Sequence, residues 1–191
     1  TASLREVLHV PLGRAPAGVA VSADGAQVYV AERDDNRVAV VDVATARVVA
    51  RVAVGEHPFA LLADPPRQRV YALNVYSHDL SVIDVGAPAA AREVARVKVG
   101  KAPYGAALAA AGTRLYVTNQ RDDTVSVIDP DTLASVQTLS GFGYPEGIAS
   151  VGDRVWVVNW MDENLVELEA ASGRRLRSVT LGSNPRGFGA F

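Results

Sequence analysis

Short segments in which apolar residues alternate with polar or small ones recur along the whole chain, separated by turn-forming residues. The first unit contains four such segments, at 18–21, 27–31, 37–41 and 48–54. An Asp24-Gly25 dipeptide, which is a strong hairpin signal, separates the first two segments. No segment carries a sustained apolar period of 3.6 residues between helix caps. The pattern therefore predicts strands throughout the chain and almost no helix.

A proline-centred loop marks the start of each unit. The prolines are Pro16, Pro58, Pro103, Pro145 and Pro185, at intervals of 42, 45, 42 and 40 residues. A strand follows each of the first four prolines and ends in Asn or, once, in Glu. These strands read Tyr29-Val30-Ala31-Glu32, Tyr71-Ala72-Leu73-Asn74, Tyr116-Val117-Thr118-Asn119 and Trp156-Val157-Val158-Asn159. A third landmark, an alternating strand ending in an acid, completes the alignment at 38–42, 80–84, 125–129 and 165–169.

Repeating units of this length and strand content are typical of β-propeller blades, in which each sheet buries its faces against its neighbours. The sequence predicts an all-β fold: a β-propeller with four-stranded antiparallel blades of about 42 residues. Four blades are complete, at approximately 16–57, 58–102, 103–144 and 145–184, and a further one is incomplete. The whole chain, 1–191, is predicted to be a single propeller domain.

The third unit carries a family resemblance. Its Tyr116-Val117-Thr118-Asn119 segment, followed by the strand at 123–129, resembles the YVTN family of β-propeller repeats. The resemblance extends over residues 16–191, and it implies a bacterial or archaeal propeller that is secreted or periplasmic, with surface-layer proteins and propeller subunits of quinone or haem dehydrogenases among the relatives. It is specific for the fold and says little about function, because propellers host many unrelated activities.

The two ends of the chain depart from a whole number of blades. Residues 4–12 are predicted to be a fourth strand without its blade, and residues 185–191 a first strand without its blade. Three arrangements fit: part of a larger propeller, a small ring closed by a two-stranded fifth blade, or half of a ring completed by another chain. Open sheet edges invite pairing, which disfavours an isolated arc and makes self-association or a partner chain an expectation.

Composition removes several classes of function. The chain has 191 residues, 19 basic and 21 acidic side chains, a net charge of −2 and no Cys. A disulfide framework and a thiolate zinc site are therefore excluded, and a basic nucleic-acid footprint is not indicated. No run approaches the roughly 18 apolar residues of a membrane-spanning helix. The chain starts at Thr1 without a leader, so we expect a signal peptide to have been removed and the location to be periplasmic or secreted.

Candidate ligand contacts come from two aligned columns, because in a propeller the proline loops and the loops after the second strands share one face. The residue after each proline varies in chemistry while its frame repeats, as expected of a binding rim. At the ends of the second strands, Glu32 stands where the other units have Asn, and Trp160 is an apolar residue in the polar loop that follows. The resulting set of predicted ligand-binding residues is Phe59, Tyr104, Glu146, Arg186, Glu32 and Trp160.

Other chemistry has weaker support. The Asn column is interpreted as structural, since an amide can bond neighbouring backbone at a strand end. His57 and His78 lie in loops on the same face and are weak candidates for a metal site, although no metal-binding spacing accompanies them. No nucleophile elbow and no phosphate-binding glycine motif frames a catalytic centre. We therefore predict no cofactor and no catalytic residues, and the sequence leaves enzymatic activity open while leaning against it.

The leading functional hypothesis is a non-enzymatic propeller of the bacterial periplasm or cell surface that binds a small molecule or a protein on the channel face, or acts as a scaffold there. The first alternative is a propeller enzyme, or the propeller subunit of a periplasmic quinone, haem or metal redox enzyme. The second is single-stranded nucleic-acid binding by Arg14, Arg33, Lys101 and Arg186 with the aromatic residues. Acidic residues in the same loops make nucleic acid an unfavoured partner.

Overall fold

The structure is a computed structural model, and it describes residues 8–187. Sixteen strands form four antiparallel sheets, each a meander of four consecutive strands. Sheet 1 comprises β1 (Pro16–Val21), β2 (Gln27–Glu32), β3 (Arg37–Asp42) and β4 (Arg47–Ala53). Sheet 2 comprises β5 (Pro58–Asp64), β6 (Arg69–Asn74), β7 (Asp79–Asp84) and β8 (Arg92–Lys98). Sheet 3 comprises β9 (Pro103–Ala109), β10 (Arg114–Asn119), β11 (Thr124–Ile128) and β12 (Ser135–Ser140). Sheet 4 comprises β13 (Pro145–Val151), β14 (Arg154–Asn159), β15 (Asn164–Glu169) and β16 (Arg175–Thr180).

Helix is confined, within residues 8–187, to three short 3₁₀ turns at Arg33–Asp35, Pro65–Arg67 and Pro88–Ala90. None of the helices in this part of the chain has the length and hydropathy of a membrane span. The predicted all-β, propeller-like fold with four complete four-stranded blades is confirmed. The predicted flanking strands at 4–12 and 185–191 fall partly outside the described residues, and their described parts, 8–12 and 185–187, are not assigned to strands.

Apolar layers between successive sheets hold the fold together. Strand β6 shows how: Val70 and Ala72 belong to the layer shared with sheet 1, whereas Tyr71 and Leu73 belong to the layer shared with sheet 3. Successive side chains of a strand point to opposite faces, so a sheet covered on both faces requires apolar residues at nearly every position. This explains why the second strand of each unit reads as an almost continuous apolar run.

On the outer face of sheet 1, Val28, Val30 and Val41 line a concavity together with Leu8, Val10 and Leu12, but among residues 8–187 no further sheet packs against this face. Val19 and Val21 of β1 are 61% and 51% exposed. The corresponding inner-strand positions of the later sheets line the interfaces with preceding sheets. The repeat accounts for the apolar character of both valines, and Val19 in addition lines the cavity between the innermost strands.

The first strands of the four sheets, β1, β5, β9 and β13, lie next to one another at the centre of the arc. Glycine permits this close approach. A Cβ on Gly105 would lie 2.7 Å from the carbonyl oxygen of Glu146, and one on Gly147 would lie 2.5 Å from that of Gly187. The backbone at residue 187 is therefore positioned beside β13 much as β13 is beside β9. Gly187 thus continues the series of central segments.

A repeated hydrogen-bond pattern fastens each proline loop. The residue before each proline has the left-handed conformation, with φ between 48° and 58°: Ala15, His57, Ala102, Tyr144 and Asn184. In the first four loops the carbonyl of this residue accepts a bond from the loop after the second strand of the same sheet, as in Val75 N–H to His57 O (3.1 Å). In three of them its N–H also reaches the preceding sheet, and the acceptors are Asn36 Oδ1 for His57, His78 Nδ1 for Ala102 and Asp123 Oδ1 for Tyr144. The loops that form one face of the arc are thereby tied both within and between blades.

Candidate functional site

A cavity of about 520 Å³ lies at the centre of the arc, and all four innermost strands contribute to its wall. Most of its lining is glycine, alanine and aliphatic side chains, with Phe59, Tyr104 and Glu146 as the larger functional groups. A β-bulge follows the proline in each innermost strand, for example between Pro58 and Ala60 and between Pro145 and Ile148. Bulges redirect a side chain out of the regular ladder. The residue after the proline in β5, β9 and β13 lines the cavity because it lies in such a bulge.

Phe59 and Tyr104, from adjacent blades, form an aromatic wall. Their ring centroids are 4.7 Å apart and the ring planes are inclined by 26°. Both side chains are half-buried. Burial, together with the negative charge of Glu146, raises the pKa of the Tyr104 hydroxyl to about 12, so this group is a neutral hydrogen-bond donor at physiological pH. The wall therefore offers flat apolar surface with one polar edge.

Glu146 is the buried acid of the cavity, with a relative exposure of 1%. Its Oε1 accepts a hydrogen bond from Gln120 Nε2 at 2.9 Å. Its Oε2 is buried and has no hydrogen-bond partner among residues 8–187. Burial raises the pKa of the Glu146 carboxyl, opposed by the positive charge of Arg186 and by the bond from Gln120.

Thr118, the third residue of the Tyr-Val-Thr-Asn segment, fixes the backbone that carries Glu146. Its hydroxyl donates to the Glu146 carbonyl oxygen at 2.9 Å and accepts from the Gly105 N–H at 2.9 Å. The side chain is fully buried. Thr118 therefore joins β9 to β13 where Tyr104 and Glu146 enter the cavity, a positioning role for which the sequence offered no signal beyond a polar residue in an apolar run.

Arg186 and Trp160 extend the site at its rim. The Arg186 guanidinium lies 4.8 Å from the centroid of the Trp160 ring, and its Nη1 is 3.9 Å from Glu146 Oε1. Trp160 in turn contacts the Tyr144 ring, with centroids 5.1 Å apart, and its Nε1 is buried without a hydrogen-bond partner among the described residues. Five of the six predicted ligand-binding residues thus form one connected group: Phe59, Tyr104, Glu146, Arg186 and Trp160.

Glu32 is not brought into this group. It is fully buried, and its carboxylate accepts bonds from the Gly13 N–H (2.7 Å) and from Arg51 Nε (3.1 Å). Asn119 fills the equivalent position in sheet 3, where its Oδ1 accepts from the Gly100 N–H (3.1 Å). Glu32 has in sheet 1 the acceptor role that Asn119 has in sheet 3, and Arg51 replaces the partners of the amide. In sheets 2 and 4 the Asn Oδ1 has no hydrogen-bond partner among the described residues. The predicted binding role of Glu32 stays a prediction.

The Asn residues make the local bonds that the structural interpretation requires. In sheets 2, 3 and 4 the Asn Nδ2 donates to the side chain five residues later: Asp79 Oδ1, Thr124 Oγ1 and Asn164 Oδ1. These bonds join the end of the second strand to the start of the third. The Asn column therefore closes the loop between the two strands in three of the four blades.

His57 and His78 are engaged in the loops rather than with each other. The His57 ring stacks on Tyr76, with centroids 4.1 Å apart, and burial and the nearby Arg33 charge lower its pKa. The Nδ1 of His78 accepts the Ala102 N–H at 3.2 Å, the same inter-blade bond that Asn36 and Asp123 make elsewhere. Within the described part of the chain, no group of three His, Asp or Glu side chains is arranged to hold a metal ion.

Besides Thr118, two contributors to the site were not among the predicted residues. Gln120, which supports Glu146, occupies the same repeat column as Trp160, and Tyr144, which packs on Trp160, directly precedes Pro145. Both residues lie in aligned columns of the repeat, so considering every member of those columns would have identified them. A second concavity of about 470 Å³ lies among the turns at the other end of the strands, but its acids are already paired, Asp64 with Tyr71 and Arg67.

Comparisons with known proteins support the fold alone. No protein-family model and no curated protein matches the chain, so membership of the YVTN family stays a prediction. The chain is similar to solved structures of low sequence identity. These include a chain of hydrazine synthase from Kuenenia stuttgartiensis (23% identity, TM-score 0.80, 95% of this chain and 54% of that one), a candidate 6-phosphogluconolactonase from Bacteroides uniformis ATCC 8492 (14%, 0.76, 91% and 59%), and a chain of a mitotic checkpoint complex (18%, 0.75, 88% and 53%).

This chain thus spans between half and three fifths of the length of those chains. Their functions are unrelated to one another: one enzyme complex, one candidate lactonase and one checkpoint assembly. What they share with this protein is an arc of four-stranded antiparallel sheets, which is compatible with a binding or scaffold role and specifies no ligand.

Proposed function

We propose that this protein is a non-enzymatic binding propeller that takes a small molecule into the cavity between its innermost strands. The observation that carries the proposal is Glu146: a carboxylate 1% exposed, on the wall of a cavity, with one buried oxygen unpaired among the described residues. An unsatisfied buried acceptor costs about 1–3 kcal/mol. Such a cost is commonly retained where a ligand supplies the missing partner.

The surroundings of Glu146 suit a ligand site. The cavity volume of about 520 Å³ falls in the range of small-molecule pockets, roughly 300–1,000 Å³. Its lining combines apolar surface with a few convergent polar groups, and the Phe59–Tyr104 stack provides a preformed flat wall. The loops that present these residues are anchored by the repeated bonds between blades, so the site is organised before binding. We place the protein in the periplasm or at the cell surface, on the resemblance to YVTN propellers.

A ligand-observed NMR screen of the whole chain tests the proposal. The panel contains small amines, carboxylates, sugars and neutral aromatic alcohols, each applied to the wild type and to the double variant Tyr104→Ala with Glu146→Gln. The matched control is Tyr76→Ala with Glu163→Gln, the same two changes at exposed positions outside the cavity. Circular dichroism establishes that each variant is folded.

We expect at least one panel compound to bind the wild type and the control, and to lose at least tenfold in affinity for the cavity variant. The proposal is overturned if no compound binds the wild type. It is also overturned if the compounds that bind do so equally to the wild type and to the cavity variant, since the binding surface would then lie elsewhere.

A further inference from the structure

The lining of the cavity carries charge of one sign only. Among the described residues that line it, Glu146 is the single charged side chain, and the rest are aliphatic, aromatic or glycine. A carboxylate in a low-dielectric concavity creates a negative potential that is not screened as it would be at the surface. An anion would be repelled there, and a neutral polar molecule would gain less than a cation. The lining therefore discriminates by charge.

The nearest cationic side chain does not neutralise the free oxygen. Arg186 Nη1 is 3.9 Å from Oε1 of Glu146, beyond hydrogen-bond distance, and the guanidinium lies over the Trp160 ring instead. Arg186 is also 52% exposed, so water screens its charge. Oε1 is already occupied by Gln120. A donor is thus missing at Oε2, and none of the described residues supplies one.

The aromatic wall adds a second preference for positive charge. Phe59 and Tyr104 line the same cavity as Glu146, and all three residues directly follow the proline of their innermost strand. Aromatic faces attract ammonium groups through the ring quadrupole. A carboxylate beside aromatic rings is a combination suited to an organic cation.

We infer that the ligand of this cavity is a small organic cation, a protonated amine carrying an aromatic or short aliphatic body. Oε2 of Glu146 is buried in the structure, so the side chain must turn toward the cavity for the ammonium group to donate a hydrogen bond to it, and the body of the ligand then lies against Phe59 and Tyr104. This inference rests on the proposed function, since it requires the cavity to be the binding site. It adds the chemical class of the ligand.

Three probes of one shape and different charge test the inference: phenethylamine, 2-phenylethanol and phenylacetate. They are titrated by isothermal calorimetry or NMR into the wild type, Glu146→Gln, Tyr104→Ala and the control Glu163→Gln. We expect the wild type to bind phenethylamine at least tenfold more tightly than either analogue. In Glu146→Gln, which is isosteric, the affinity for phenethylamine falls to that for 2-phenylethanol, whereas Tyr104→Ala weakens all three probes.

Three outcomes distinguish failure of the cation class from failure of the proposed function. If 2-phenylethanol binds as tightly as phenethylamine, and Tyr104→Ala weakens both, the cavity is a ligand site but the cation class is wrong. Tightest binding of phenylacetate would assign recognition to Arg186 and would also overturn the cation class. If none of the probes binds and the wider screen is empty, the proposed function itself fails.

Discussion

The carboxylate of Glu146 and the guanidinium of Arg186 approach to 3.9 Å without forming a hydrogen bond. The two residues occupy the same position, directly after a proline, in consecutive units of the repeat. Arg186 interacts instead with the face of Trp160, and Glu146 keeps one oxygen buried without a partner among the described residues. Glu146 is thus only loosely paired, as the proposed binding of a ligand at this carboxyl group requires.

The stability of the protein should respond to pH through Glu146. Burial raises the pKa of its carboxyl in the folded state above the ordinary value of 4.5, so the folded chain holds the proton more tightly than the unfolded chain. The stability that Glu146 contributes is therefore complete below the ordinary pKa and is lost as pH rises through the raised one. Glu146→Gln cannot lose a proton and escapes this loss. We expect the Tm of the variant, relative to wild type, to increase from pH 4 to pH 7.

Thermal unfolding by circular dichroism across that pH range measures the effect, and the Tm difference removes the contributions of all other titrating groups. Glu163→Gln, an exposed position, serves as the control and should show a flat difference. A difference that falls with rising pH would mean that the attraction of Arg186 outweighs burial, contrary to the expected direction.

Glu32 should prove important for stability. Glu32→Ala leaves the Gly13 N–H and Arg51 without their acceptor, and we expect a loss of about 2–4 kcal/mol in the free energy of unfolding. Glu32→Asn restores the residue that the other three sheets have here, and its Oδ1 can accept the Gly13 N–H as Asn119 does that of Gly100. We expect a loss of about 1 kcal/mol for this variant in urea unfolding. Equal losses for the two variants would contradict the equivalence of Glu32 and Asn119 as acceptors.

Asn36 should contribute through both its side chain and its backbone. Its Oδ1 accepts the His57 N–H from the next blade, and its φ of 53° lies in the left-handed region. Asn36→Gly removes the hydrogen bond but places there a residue that adopts the left-handed region freely. Asn36→Ala also removes the hydrogen bond, and it places in that region a Cβ-bearing residue that lacks the local side-chain hydrogen bonds available to Asn. We expect losses of about 1 kcal/mol and about 2 kcal/mol, respectively. Denaturant unfolding of both variants checks the order, and the reverse order would refute the conformational contribution.

Gly105 should resist replacement because two backbones meet there. A Cβ at this position would lie 2.7 Å from the Glu146 carbonyl oxygen, so Gly105→Ala must push β9 and β13 apart. We expect a loss of about 2 kcal/mol or more and weaker binding of phenethylamine. Gly182→Ala is the matched control, since nothing lies within 4 Å of its Cβ, and it should change stability by less than about 0.5 kcal/mol. Similar effects at the two glycines would contradict the close approach.

The fold was largely predictable from the chain because it repeats. The proline loop occurs five times. The apolar strand, which ends in Asn three times and in Glu once, and the alternating strand ending in an acid occur four times each, and the loops that these elements form contain repeated local hydrogen bonds. The aligned repeats also showed that the residue after each proline differs in chemistry from unit to unit. The strands predicted at 4–12 and 185–191 are covered only in part, because residues 1–7 and 188–191 lie outside the described part of the chain.

The sequence by itself determined the strands, the sheets and the face on which variable residues gather, since these follow from local periodicity and turn chemistry. Only the tertiary structure decided which of those residues meet. Glu32 and Glu146 are both isolated acids in aligned loops, yet Glu32 is neutralised by Arg51 within its own sheet, while Glu146 lies in the cavity with an oxygen left over. The difference arises from the partners that neighbouring strands and blades bring, and such partners are set by packing between distant parts of the chain.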